Sequence, residues 1–127
     1  VVSIEELQKA RAAVAEVYVS EPVKAYIRDL IAATRASDEL AHGASPRAAL
    51  SVLNVAKARA ALEGREYVIP DDVKSFAILT LSHRLVLGTS AELSERDAPT
   101  ILRDILDETA VPSTTESFTP GEEQVSE

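Results

Sequence analysis

Several residue types are missing or scarce in this chain, and each shortage removes a class of site. The 127 residues contain no cysteine, so disulfides and thiolate metal sites are excluded. They contain no methionine either, even at position 1, and we therefore expect a piece of a longer protein. Aromatic residues make up only 4% of the chain, which is too few for the stacking surfaces that bind single-stranded nucleic acid.

Positive charge is also in short supply. There are 21 acidic against 13 basic residues, which gives a formal net charge of −8. Because contacts with phosphate backbones need a basic surface, this balance argues against a nucleic-acid partner. No apolar run is long enough to span a membrane and no signal peptide is recognisable, so we expect a cytoplasmic protein without membrane insertion. The apolar content of 46% is sufficient for a folded core.

Motifs that carry catalysis are missing as well. The chain has no glycine-rich phosphate loop ending in Gly-Lys-Ser/Thr and no acidic pair at the end of an apolar strand. It also lacks a Ser/His/Asp or Cys/His set for nucleophilic catalysis. His42 has no second metal-type residue at useful spacing, and His83 is explained by the negative end of a helix dipole. We therefore expect no metal site in this chain and no ATP hydrolysis by this chain alone.

The apolar periodicity and the helix-start residues predict a mainly α fold, a small bundle of about five helices. A capping box of Ser3 and Glu6 opens the first helix, and Pro22 marks the start of the second. The third helix is predicted from Pro46 to about Glu63, and its small residues indicate a central position. The predicted apolar faces, in chain order, contain Leu7, Ala10, Val14 and Val17; Val23, Tyr26, Ile27, Leu30 and Ile31; Ala49, Leu50, Leu53, Ala56 and Ala60; Val73, Phe76, Ala77 and Leu81; and Ile101, Leu102, Ile105 and Leu106.

Two short β segments are predicted beside the helices. Tyr67-Val68-Ile69 is apolar and partly β-branched, as strands are, and Leu85-Val86-Leu87 is its candidate partner in a two-stranded ribbon. Pro70 opens the fourth helix, and Asp97 caps the fifth. The pair Asp71-Asp72 suits the positive end of a helix dipole, which explains it more simply than a magnesium site does.

The most informative placement is that of Arg47. Ser45 is a good N-cap and Pro46 suits the first helical position, so Arg47 falls at the second position of the third helix. There it faces the positive end of the helix dipole, where a cation is disfavoured. A partner is needed, either an internal carboxylate such as Asp38 or Glu39, or an external anion such as phosphate.

Several segments follow one another in a recognisable order. They are Tyr18-Val-Ser-Glu-Pro-Val23, Ala33-Thr-Arg35, Gly43-Ala-Ser-Pro-Arg-Ala-Ala-Leu50, Ala56-Lys-Ala-Arg-Ala-Ala-Leu-Glu-Gly64, Arg65-Glu-Tyr-Val-Ile-Pro-Asp-Asp-Val73 and His83-Arg-Leu-Val-Leu87. Together they cover most of residues 1–109, and the series resembles the C-terminal lid of MoxR-type AAA+ ATPases. The lid of magnesium-chelatase ATPase subunits is the nearest alternative. Ile69 departs from the threonine usual at that point in MoxR-like lids.

The resemblance implies a helical lid over residues 1–109 that packs beside ATP held by a separate αβα core. Arg47 matches the sensor-2 arginine, the expected catalytic residue, whose guanidinium approaches the γ-phosphate. Ala44, Ser45 and Pro46 complete the expected cofactor-binding set, with Ser45 and Pro46 aiming Arg47. The implied cofactor of the intact protein is ATP with Mg²⁺, and we expect the isolated chain to bind none.

The resemblance also implies partners. These are the core domain of the same chain, neighbouring subunits of a hexameric ring, client proteins that are remodelled or matured, and von Willebrand A-domain proteins. The basic group of Lys57, Arg59 and Arg65 is interpreted as a solvated face, with contact to an adjacent subunit's core as the functional alternative.

One alternative belongs to a different class of protein, namely a free-standing helical adaptor that binds proteins without nucleotide. The predicted helix–strand–helix centre has some character of histone-like modules, which supports it. Residues 110–127 are rich in Pro, Ser, Thr and Glu. Such a segment buries too little apolar surface to fold by itself, so we expect a flexible acidic tail there, with a docking strip for a neighbouring domain as the alternative.

Overall fold

Helices account for most of the structure. The computed structural model describes residues 3–112. The elements are α1 (Ile4–Ala15), α2 (Glu21–Ala36), β1 (Leu40–His42), α3 (Pro46–Leu62), α4 (Pro70–Ser82), β2 (Val86–Leu87), α5 (Thr89–Leu93) and α6 (Ala98–Glu108). The predicted mainly α fold with a two-stranded ribbon is therefore confirmed. The tail predicted for residues 110–127 lies outside the described residues from residue 113 onward.

Local capping chemistry fixes where several helices begin and end. The Glu6 N–H donates to Ser3 Oγ at 3.1 Å and the Ser3 N–H donates to Glu6 Oε1 at 3.0 Å, which confirms the capping box. At the start of α6, Asp97 accepts from the Thr100 N–H at 2.9 Å. After α3 the chain turns at Gly64 with φ of 79°, a conformation that favours glycine.

The central position predicted for the third helix is confirmed, because α3 contacts α1, α2 and α4. Its buried residues are Ala48, Val52, Ala56 and Ala60, one turn apart and mostly small, so neighbouring helices approach closely. Leu50, predicted on the apolar face, is instead 61% exposed. Two residues rotate a helix by about 200°, so the burial of Ala48 turns Leu50 outward.

The hydrophobic core lies among α2, α3, α4 and α6. The predicted faces of α2 and α6 are buried in full, and α4 buries Val73, Ala77 and Leu81. Phe76, predicted on the same face of α4, is 37% exposed. Helix α1 contributes no buried residue, and Leu7 is 48% exposed, so of the predicted first apolar face Val17 alone, which follows α1, is part of the core.

The pairing predicted for the two β segments is wrong. Val86–Leu87 pairs antiparallel with Leu40–His42, and Tyr67 forms an isolated parallel bridge with Tyr18. The reason is the helix between the two predicted strands. With 13 residues, α4 is about 20 Å long and carries the chain away from Ile69 before β2 begins.

The short helix α5 is an element that periodicity does not predict. Its only buried residue is Ala91, so no repeat is visible over Thr89–Leu93. None of the helices within residues 3–112 combines the length and the apolar character needed to cross a membrane.

Candidate functional site

The start of α3 presents Arg47 to solvent. Ser45 is the N-cap residue and Pro46 the first helical residue, so Arg47 occupies the second helical position, as expected. The residue is exposed, and no carboxylate within residues 3–112 lies within ion-pair distance of its guanidinium. The first turn of α3 also contains no acidic side chain. A cation therefore stands at the positive end of a helix without an internal counter-charge in the described part of the chain.

One of the two internal carboxylates considered for Arg47 has another partner. Glu39 accepts hydrogen bonds from Nε and Nη2 of Arg96, and Nη2 also donates to Asp104. The bond to Glu39, followed by the bond to Asp104, raises the pKa of Arg96. Asp38 is exposed and forms no ion pair with Arg47 either. The internal pairing of Arg47 is thus not found within residues 3–112.

Ser45 caps α3 by position but not through its hydroxyl. Its side chain accepts no capping hydrogen bond. The N–H of Ala48, which a capping serine can bind, donates instead to the Ser45 carbonyl oxygen at 2.9 Å. Ser45 and Pro46 are both exposed beside Arg47, whereas Ala44 is buried.

The turn before α3 is fixed by close packing against the end of α2. A Cβ atom on Gly43 would lie 2.5 Å from the Thr34 carbonyl oxygen and 2.6 Å from the Arg35 Cα, so only glycine fits there. Next to it, the buried Ala44 N–H donates to Thr34 Oγ1 at 3.0 Å. Thr34 Oγ1 in turn donates to the Ile31 carbonyl at 2.6 Å. These contacts set where α3 begins, and hence where Arg47 is held.

The basic group predicted as a solvated face is in part a buried ion-pair network, so that interpretation is wrong for two of its members. Arg65 donates to both carboxylate oxygens of Asp72 at 2.6 and 2.7 Å, and Arg59 donates to one of them at 2.8 Å. Asp72 is 0% exposed, against 27% for Arg59 and 21% for Arg65. Lys57, the third member, donates to the carbonyl of Ala15 at 3.2 Å and so ties α3 to the end of α1.

The charges in this network favour one another. Burial alone would raise the pKa of Asp72, but the hydrogen bonds from Arg65, the Ile69 N–H and Arg59 outweigh it and leave that pKa below its usual range. The hydrogen bond between Arg65 and Asp72 also raises the pKa of Arg65. Because Ile69 has no side-chain acceptor, Asp72 supplies the capping interaction at the start of α4 by accepting from the Ile69 N–H at 2.8 Å. We call Arg59, Arg65 and Asp72 the arginine clamp.

Potential metal ligands do not converge in the described structure. Within residues 3–112 no three His, Asp or Glu side chains are grouped so that they could hold an ion. The carboxylate of Asp72 is occupied by arginines, which leaves Asp71 alone at that helix start. His42 ends β1 and His83 follows α4, and both are exposed.

Two features of the site region escape sequence reasoning. The role of Thr34 depends on a hydrogen bond across 10 residues, and that of Asp72 on partners 7 and 13 residues away. The sequence does contain one signal for the clamp. Asp72 is an acid at the third helical position after Ile69, which cannot cap, and an acid at that position can accept a hydrogen bond from the N-cap N–H. No comparable signal marks Thr34.

Comparison with known proteins gives a consistent assignment. Residues 32–105 match the sequence model of the AAA lid domain family. The chain is 35% identical over 99 residues to the uncharacterized protein YeaC of Bacillus subtilis, covering 78% of this chain and 31% of that protein. It is 31% identical over 121 residues to Chaperone MoxR1 of Mycobacterium tuberculosis, covering 88% of this chain and 32% of that protein.

A solved structure agrees with the sequence comparisons. A putative ATPase from Cytophaga hutchinsonii superposes with a TM-score of 0.81 at 31% identity, covering 86% of this chain and 36% of that one. The chain thus spans about a third of the length of these relatives. The matches favour a lid over a free-standing adaptor, and a MoxR-type over a magnesium-chelatase-type lid. The chain belongs to the AAA lid domain family and is a lid of the MoxR type.

Proposed function

We propose that Arg47 is the sensor-2 arginine of this lid, and that it contacts the γ-phosphate of ATP bound to the core domain of the parent ATPase. The observation that carries the proposal is the exposed Arg47 at the start of α3, without a carboxylate partner within residues 3–112. The lid is proposed to span residues 1–109, with Ala44, Ser45 and Pro46 holding Arg47 in position.

The chemistry of phosphoryl transfer supports this role. The reaction depends on positioning the phosphates and on stabilising negative charge on their oxygens. A guanidinium beside a helix N-terminus offers a planar set of donors together with the positive end of the dipole. Because the first turn of α3 contains no acid, nothing in that turn opposes the approach of an anion.

Movement of the lid would couple hydrolysis to work on other proteins. When the γ-phosphate leaves, Arg47 loses its partner, and the lid can rotate relative to the core. We propose that the intact protein binds ATP with Mg²⁺ in the cytoplasm, forms a hexameric ring, and remodels or matures client proteins beside von Willebrand A-domain partners. The name of one relative, Chaperone MoxR1, supports the chaperone-like part.

The test replaces Arg47 in the intact ATPase. Arg47→Ala is expected to lower the rate of ATP hydrolysis by about 10²–10³-fold, the usual effect of losing one donor to a charged transition state. Arg47→Lys should also be impaired, because lysine lacks the planar fork. The thermal stability of the lid should change little, since Arg47 is exposed.

Arg84→Ala is the matched control. Like Arg47, Arg84 is an exposed arginine, but it lies after the end of α4 and not at the start of a helix. It should hydrolyse ATP at the parental rate. The proposal is wrong if Arg47→Ala hydrolyses ATP as fast as Arg84→Ala does, or if its only effect is to unfold the lid.

The isolated chain should not bind ATP measurably. One arginine cannot hold a nucleotide without a phosphate loop, and residues 1–127 contain none. Isothermal titration of the chain with Mg²⁺-ATP is expected to show no heat of binding in the micromolar range. Micromolar affinity would mean that the chain contains a nucleotide site that does not depend on the core.

A further inference from the structure

Helix α2 carries a row of cations along one of its exposed sides. Lys24, Arg28 and Arg35 are spaced by four and seven residues, so all three lie on the same side of the helix. All are exposed, and within residues 3–112 neither arginine has an ion-pair partner. Lys24 lies 3.6 Å from Glu21, in an exposed pair that contributes little. We call Lys24, Arg28 and Arg35 the basic flank.

The basic flank borders an open apolar surface. A shallow depression of about 160 Å³ lies beside it, between α2 and α3, and its lining includes Lys24, Arg28 and Leu50. The aliphatic side chain of Leu50 is exposed to solvent. Lysine and arginine can lay their hydrocarbon stems on an apolar partner while their charged ends meet acidic groups. The flank therefore suits an acidic surface that has an apolar floor.

A surface of that kind lies on the other side of the same helix. It is a groove of about 390 Å³ between the C-terminal half of α2 and α6, which we call the acidic groove. Its lining includes aliphatic and acidic side chains, namely Ala33, Ile101, Ile105, Glu39, Asp104 and Glu108. Lys24 of the basic flank and Ala33 of the groove are separated by about two and a half helical turns, so they face opposite directions.

The carboxylates of the acidic groove are only partly neutralised. Arg96 binds both Glu39 and Asp104, so one guanidinium serves two of the three acids. Glu108 has no ion-pair partner in the described part of the chain, and it belongs to the last turn of α6, where the helix dipole disfavours an acid. Asp104 lies one turn earlier, and like charges at this spacing repel each other. An external cation would relieve both effects.

We propose that the basic flank of one copy of the chain docks in the acidic groove of the next copy, with Arg28 beside Glu108 and Leu50 over the apolar floor. Two charges that have no ion-pair partner within residues 3–112 then neutralise each other. Because the two surfaces differ and lie on opposite sides of α2, the contact is heterologous and repeats from copy to copy, as closure of a ring requires.

The contact leaves Arg47 accessible. Ala49 lines the depression beside the basic flank, and two residues rotate a helix by about 200°, so this depression opens on the side of α3 away from Arg47. The inference rests on the proposed ring for its setting, and it does not depend on a role of Arg47 in nucleotide binding.

Cross-linking between subunits of the intact ATPase tests the contact. A net charge of −8 makes isolated copies repel one another, so the assembled protein is the appropriate sample. Residues 1–127 contain no cysteine, and Leu50→Cys with Ala36→Cys places one exposed thiol on each surface of a parent protein whose other cysteines are replaced. A short bismaleimide should join subunits that carry both cysteines into a ladder of multimers. Either cysteine alone should give single subunits, and a mixture of the two single variants should give dimers at most.

A charge exchange separates the proposed contact from chance proximity. Added to the two cysteines, Arg28→Glu or Glu108→Lys should remove most of the ladder, and both together should restore it, because the reversed charges attract again. Arg84→Glu, which reverses an exposed cation after α4, should leave the ladder unchanged. A missing ladder, dimers formed by Leu50→Cys alone, or no recovery on charge exchange would overturn the inference. Sedimentation of the same samples reports the ring separately, so a ring without cross-links refutes this contact and leaves the ring standing.

Discussion

At the scale of single residues, the position of Arg47 depends on neighbours that fix where α3 begins. Gly43 allows the backbone to approach Thr34 and Arg35 at distances that no side chain permits. Thr34 then satisfies the buried Ala44 N–H, which has no helical partner. A hydroxyl and a missing Cβ thus hold the helix start, while Ser45, the residue that the sequence suggests for that task, contributes no side-chain hydrogen bond.

Gly43→Ala is therefore expected to destabilise the chain by about 1–3 kcal/mol, the usual cost of overpacking. The added methyl would meet backbone atoms, which cannot rotate away as a side-chain end can. Urea unfolding followed by circular dichroism measures the change. Ser45→Ala is the control, and its effect should stay below about 0.5 kcal/mol, less than the roughly 1 kcal/mol typical of a serine that caps with its hydroxyl. Equal effects of the two substitutions would contradict this account of the turn.

At the scale of elements, the arginine clamp joins α3 to α4. Arg59 belongs to α3, Arg65 to the connection, and Asp72 to the first turn of α4, so one carboxylate binds all three parts. It also closes the helix start that Ile69 cannot cap. Removing one partner from a buried ion pair of this kind is costly, because it leaves an uncompensated charge in the interior.

Asp72→Asn is expected to destabilise the chain by about 3–5 kcal/mol, the usual cost of breaking a buried pair from one side. The adjacent Asp71→Asn is a control of identical chemistry on an exposed residue. It loses at most a dipole interaction of about 1 kcal/mol. Chemical unfolding of both variants at neutral pH provides the comparison. If the two variants lost similar amounts of unfolding free energy, the clamp would not be a stabilising buried network.

At the scale of the whole molecule, the free energy of unfolding should be more sensitive to low pH than to high pH. The pKa values of Asp72 and Asp97 are both lowered in the folded chain, the first by its arginines and backbone donor against burial, the second by the Thr100 hydroxyl and N–H. A carboxyl whose pKa falls on folding stabilises the fold only while it is ionised. The stability that the clamp contributes therefore depends on pH.

Above the unfolded-state aspartate pKa of about 3.9 the contribution of Asp72 is complete, and it is lost as pH falls through the lower folded-state value. The free energy of unfolding should be nearly flat from neutral pH to about pH 5 and decline below that. Urea titrations over this range should show a shallower decline for Asp72→Asn than for Asp71→Asn. A parallel decline in the two variants would show that Asp72 is not the group responsible.

Sequence reasoning succeeded where the deciding contacts are local. The capping box of Ser3 and Glu6 and the Asp97 cap each join residues three apart, and the buried faces of α2 and α6 repeat at helical spacing. Such local patterns can be interpreted without knowledge of the rest of the chain. They place Arg47 at the second position of α3 as well, because Pro46 and its neighbours define that start.

Contacts between distant segments had to come from the fold. The bond between Arg96 and Glu39 spans 57 residues, that between Arg59 and Asp72 spans 13, and β2 pairs with β1 across α3 and α4. By itself the sequence determined the five longer helices and their starts, since side chains three or four residues apart meet in any helix. The order of its recognisable segments indicated the family. The tertiary structure alone decided which charges are buried, which strands pair and which side of α3 faces water, because those outcomes depend on how the helices pack.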